Sequence, residues 1–233
     1  MILMKGVLGM KNALRGYRAF FPKSWMIWIV CVMYPVVAVA GITVFQYLNS
    51  EASIYIFLAA VYGVLAVEMV LSKYSFAGLV AKDSNRMEYL KTSVKGMDFL
   101  REVLITDQNR RFITTGVIVL SAGLMGVNHE YRIAEELSVS ISVSTVLGIF
   151  LLISILVELL TFCMKLVNNT NAYTLMSMAS FGIAGIMTFL LIVFDMESGH
   201  YLWISVILLM MYIVIRYVTR HTLLKKARAG YYD

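Results

Sequence analysis

Apolar side chains in this sequence gather into six runs: Trp25–Leu48, Ala52–Ser72, Phe112–Val127, Ser138–Leu166, Tyr173–Phe194 and His200–Tyr217. A run of about 18 or more apolar residues matches the hydrocarbon thickness of a bilayer as a helix. The third run reaches that length only with flanking residues, because Asn109–Arg111 precede it. Six helices of about 20 residues each occupy most of the 233 positions. The expected fold is therefore an all-α integral membrane protein with six transmembrane helices, a single transmembrane domain over residues 1–233. Composition agrees, with 60% hydrophobic and 15% charged residues, where soluble domains average about 45–50% and 25%. Cys31 and Cys163 fall inside apolar runs and read as small buried hydrophobes, with no disulfide framework. Ala38–Ala40 follows an apolar stretch in the manner of a signal-peptidase site. The 23 residues before that stretch are long for a signal peptide, so the first run reads as a retained span.

Basic residues set the orientation. Taking the six runs as spans, 19 of the 20 Lys and Arg fall on alternate connections, and Arg132 alone lies on the opposite side. Lys and Arg near span ends resist translocation. Both termini are accordingly expected in the cytoplasm of a multi-pass plasma-membrane protein. The net charge of +6 then belongs to juxtamembrane edges facing anionic membrane lipids. It is no nucleic-acid footprint, since the basic residues are not gathered with exposed aromatics on a separate domain.

Two cytoplasmic segments carry helical patterning. In residues 1–23, Val7, Met10, Leu14, Tyr17 and Phe21 form one apolar face beside Lys11, Arg15 and Arg18. That is the pattern of an amphipathic helix lying in the interface, ended by Pro22 and anchored by Trp25 and Trp28. A basic tail that merely flanks the first span is the plainer alternative. The second segment, residues 81–111, separates spans two and three and is rich in charge. Asn85 and Glu88 form a capping-box pattern, after which Met87, Leu90 and Val94 share a face. Gly96 interrupts the helical pattern. A second helical piece, Phe99–Arg111, places Asp107 at pairing distance along the chain from Arg110 and Arg111 and climbs into span three. Disorder would lack this spaced apolar content, and loops beyond about 15 residues are usually functional or disordered.

With a basic amphipathic amino-terminal helix ahead of it, the stretch "GLVAKDSNRMEYLKTSVKGMDFLREVLITDQNRRF" resembles the membrane subunits of type-2 ATP-binding-cassette exporters. It looks most like the small permeases without a fused ATPase that export peptide toxins or bacteriocins, such as exporters of phenol-soluble modulins. The resemblance implies that Asp83–Thr92 is the coupling helix between spans two and three, docking on a separate ATPase dimer. Met87, Tyr89 and Leu90 would be its principal contacts, beside Asp83, Arg86, Glu88 and Lys91. It also implies a second permease copy or a homologous permease, a bacterial plasma membrane, and ATP and Mg bound by the ATPase partner, with no cofactor in this chain. The chain departs from the family pattern in two places. Ser93-Val94 stands where a proline-containing turn usually follows "EYLKT", and the last outer connection, Asp195–His200, is short.

Within the apolar runs the acidic residues are Glu68 and Glu158, and Arg216 lies at similar depth in the sixth. A charge at mid-bilayer costs roughly 2.5–3.5 kcal/mol on insertion scales, which marks all three as candidates. Two readings stand open: an ion-pair network near the inner interface, or an inward-facing mouth that recruits a cationic substrate. Histidines 129, 200 and 221 share no ligand spacing, so no metal site is expected. Neither a Walker motif nor HExxH occurs, and an enzyme is not expected. The reading from sequence is an exporter permease driven by a separate ATPase, carrying an amphipathic peptide, antibiotic or lipid-like substrate. The alternative is a stand-alone membrane binding or immunity protein, or a substrate-capturing transporter subunit. Small residues in span five (Ser177, Ala179, Ser180, Gly182, Ala184, Gly185) and the pair Ala122 and Gly126 in span three allow close helix packing.

Overall fold

The computed structural model describes residues 61–73, 79, 95–125, 130–134, 137–140, 142–166, 170–194 and 201–232. The expected interfacial helix with Lys11, Arg15 and Arg18, and the expected coupling residues Asp83, Arg86, Met87, Glu88, Tyr89, Leu90 and Lys91, lie outside them. The described architecture is helical. Helix α1 covers 61–73, α2 Gly96–Met125, α3 Val143–Leu166, α4 Thr170–Phe194 and α5 Tyr201–Tyr232. Two short strands, β1 (Glu130–Ala134) and β2 (Leu137–Ser140), form an antiparallel pair between α2 and α3.

The strand pair corrects the expected start of span four. Ser138 and Ser140 alternate with Leu137 and Val139, a two-residue period suited to a strand, and Ser138 and Ser140 pair with Arg132 and Glu130. Helix α3 begins only at Val143, where Ser142 caps it: the Ser142 hydroxyl accepts a 3.2 Å bond from the Thr145 amide. The sixth apolar run, expected to end at Tyr217, is the first part of a 32-residue helix. The expected second piece before span three is continuous with that span. α2 runs 30 residues without interruption from Gly96, with Asp98 in its first turn favouring the positive end of the helix dipole.

α3 is the central helix and packs most extensively against α5, then α2 and α4. α3 and α5 run parallel in one register. Ser205 donates to the Ser144 carbonyl (3.3 Å), and fourteen residues on, Thr219 donates to Glu158 (3.1 Å), each pair 61 positions apart. α2 runs antiparallel to α3, since Gln108 meets Glu158 while Gly116 lies against Phe150. The bundle thus has a hairpin end, near the strands, and a basic end, where α2 begins. Two helical stretches, Val143–Leu166 and Trp203–Ala229, are long and apolar enough to cross a membrane; the first is mostly buried within the chain and the second mostly exposed.

Apolar packing divides into two blocks. Toward the hairpin end, Val61, Leu65, Val119, Ile149, Ile153 and Ala184 belong to one buried cluster. Toward the basic end, Leu71, Leu100, Val103, Leu104, Leu223 and Ala227 belong to another. Of the small residues in the fifth span, Ala184 is buried and Gly185 faces Tyr62, whereas Ala179 and Gly182 are exposed. A Cβ at Gly185 would collide with the Tyr62 hydroxyl, while the rest of that ring is at ordinary contact distance. Gly185→Ala is therefore expected to destabilise the detergent-solubilised chain by about 1–3 kcal/mol. Tyr62→Phe should restore most of the loss, and additive effects in thermal unfolding of the double variant would contradict the contact.

Candidate functional site

Between the two apolar blocks lies a layer of charge. Glu68 sits in α1 between Leu65 and Leu71, and Asp107 to Arg111 sit in α2 between Leu104 and Ile118. Glu158 and Lys165 come from the second half of α3, and Arg216 and Thr219 from α5 ahead of Leu223. At about 1.5 Å per residue, Glu158 and Arg216 each lie about 22 Å from the hairpin-end start of their helices. Helical pitch and the parallel register of α3 and α5 therefore bring residues far apart in sequence to one depth.

The layer is closely connected. Arg110 grips Glu68 with two parallel bonds of 2.7 Å each, and Thr114 donates to the same carboxylate at 3.2 Å. Arg111 donates to Asp107 on its own helix and, at 2.8 Å, to Glu158 on α3. Lys165 reaches the same Asp107 oxygen at 2.7 Å, with its side chain only 1% exposed. Gln108 donates to Glu158 at 2.5 Å and to the Arg216 carbonyl at 3.1 Å, which draws in α5. Three carboxylates thus meet three cations, joining α1, α2 and α3, and α5 is held through Gln108 and Thr219.

Asp107 sits against Arg111, Lys165 and Arg110, and Arg111 against Asp107 and Glu158, so that each buried charge faces the opposite sign.

Above the layer the ring of Phe112 stacks on Tyr212 and meets Phe150 at a tilt of 50°. Phe112 lies 5.0 Å from Phe150 and 4.9 Å from Tyr212, centroid to centroid. These rings close the polar layer off from the apolar block beyond. Below it, at the start of α2, a cavity of about 640 Å³ is lined by Lys95, Asp98, Phe99, Arg101, Glu102 and Ile105.

The three membrane-depth candidates from sequence, Glu68, Glu158 and Arg216, all lie in or at this layer. Glu68 and Glu158 are ion-paired, whereas Arg216 bonds the neutral Asn109. The sequence reading assigned no site role to Arg110, Arg111, Gln108, Thr219 or Lys165. Its available signal was the cluster "DQNRR" immediately before an apolar run. Among the described residues, no group of three His, Cys, Asp or Glu gathers to hold a metal ion. Tyr217 stacks on His221 at the exposed end of α5.

Compared with known proteins, the chain matches no family model, no curated protein and no solved structure.

Breaking a buried pair from one side costs about 3–5 kcal/mol, because the remaining charge is left buried. Asp107→Asn removes the carboxylate that Arg111 and Lys165 share, Glu158→Gln removes one of the two carboxylates at Arg111, and Glu68→Gln removes the carboxylate held by the partly exposed Arg110. Unfolding in detergent should rank the losses Asp107, then Glu158, then Glu68; a loss at Glu68 as large as at Asp107 would contradict the layer's construction.

Proposed function

We propose that the chain is the membrane permease subunit of an ATP-binding-cassette exporter. A separate ATPase would bind ATP and Mg, and an amphipathic peptide, antibiotic or lipid-like molecule would be the cargo. Membrane residence is supported by the outward side of α5. From Trp203 to Tyr217, about 21 Å at helical rise, it exposes Val206, Ile207, Met210 and Val214, and aromatic residues stand at both limits. Arg220, Lys225, Lys226 and Arg228 follow directly. A buried apolar helix such as α3 would suit a soluble core, but an exposed one of this length would not.

The observation that carries the coupling role is the continuity of α2. One unbroken helix leaves the segment that resembles a coupling helix at Gly96, passes through the ion layer, and continues to Met125. A force delivered to the start of α2 at Gly96 would have a rigid route to the charges that tie α1, α2, α3 and α5 together. The aromatic stack above the layer favours a path outside the single chain, at a seam with a second permease copy. Such a path accords with a dimeric permease framed by two chains.

Co-expression with a candidate ATP-binding-cassette ATPase tests the reading. The wild-type chain should retain the ATPase through affinity purification from membranes, and the double variant Glu88→Lys with Leu90→Ala should lose it. Retention undiminished by both changes would overturn the coupling assignment. A stand-alone binding or immunity role would instead keep its activity after residues 83–96 are shortened.

A further inference from the structure

Two guanidinium groups at the edge of the ion layer are not used by it. Among the described residues, Glu68, Asp107 and Glu158 are met by Arg110, Arg111 and Lys165, and none of these pairs uses Arg216. Arg216, half-buried, donates to the amide oxygen of Asn109 on α2. Among the described residues, neither it nor Arg220 forms an ion pair. Their spacing of four places them one turn apart on one face of α5. Tyr217 lies between them, and Leu209 and Ile213 continue that side of the helix, exposed, toward the hairpin end.

We infer that Arg216 and Arg220 form a headgroup site for an anionic phospholipid, with the acyl chains laid along Leu209 and Ile213. The proposal rests on the membrane half of the reading above and is independent of the exporter half. Its chemistry is complementary at both ends. A phosphodiester offers paired oxygens that match guanidinium donors, and the exposed apolar side chains above suit the hydrocarbon that a soluble phosphate lacks. An anionic headgroup is favoured over a zwitterionic one because choline would bring its own positive charge toward two unmatched cations. The half-burial of both arginines against the bundle reduces their hydration and fixes where the phosphate sits, unlike Lys225 and Lys226, which project freely.

The test is lipid binding to the full chain in detergent, by native mass spectrometry with phosphatidylglycerol and phosphatidylcholine of identical acyl chains. The wild-type chain should prefer phosphatidylglycerol, and Arg216→Gln with Arg220→Gln should reduce that preference by about 30-fold. That figure is two charges at roughly 1 kcal/mol each, converted at 1.4 kcal/mol per tenfold. Lys225→Gln with Lys226→Gln, an equal loss of charge, should leave most of it. Equal loss in both pairs would mean a diffuse field and overturn the site. Glycerol phosphate binding as tightly as phosphatidylglycerol would assign a soluble anion and overturn the lipid. Should the double Gln variant not fold, Arg220→Gln alone keeps the test, and retention of the full preference would sink the proposal. A membrane-extracted chain without any preference refutes the headgroup site alone. Recovery of the chain in the soluble fraction refutes the membrane reading beneath it.

Discussion

The bundle depends on a salt-bridged layer whose central charges are withdrawn from water. Asp107 and Lys165 are almost fully buried, and Arg111 is nearly so. Ions in such surroundings are costly to desolvate and are tolerated only when each is met by an opposite charge with good geometry. That requirement ties the helices to one another in one register. Shifting α2 by a single residue would rotate Asp107, Arg110 and Arg111 by about 100° and leave several buried charges without partners. Apolar packing alone is less particular, because leucines and isoleucines can be exchanged or displaced at modest cost. The two apolar blocks supply the bulk of the contact, and the layer between them decides the alignment.

Balance distinguishes this layer from a binding site. A pocket that recruits a charged ligand holds an excess of the complementary sign, whereas among the described residues the three carboxylates here pair with three cations of the same chain. The inward-facing acidic mouth considered from sequence would need Glu68 or Glu158 to be available, and both are committed to arginines. What surplus there is lies outside the interior, on α5, and it is positive.

Sequence reading reached the acidic members of the layer for a sound reason: a carboxylate inside an apolar run is expensive and therefore conspicuous. It missed most of the basic members because each had an ordinary explanation. Lys165 resembled a topogenic lysine at a span end, and Arg110 and Arg111 resembled the polar margin of a loop. Only Asp107 with its neighbours was legible as a local pair, since the spacing is helical. The other pairings join residues 42 to 58 positions apart, and no local pattern encodes which distant helix will lie alongside. The start of α3 was misplaced because the fourth apolar run was taken as one helix from Ser138, although its alternating serines have the period of a strand. Continuity from Gly96 through span three was legible, because no proline and no second break follows.

Both prolines of the chain, Pro22 and Pro35, precede the described helices. Without proline, α2 has no ready point at which to kink, and at about 45 Å it behaves as a rod. Its ion-layer residues fall near the middle, with about 20 Å of helix on one side and about 24 Å on the other. A rod held at its middle is a balanced lever. Were α2 to tilt about the ion layer, its ends would swing in opposite directions through nearly equal distances.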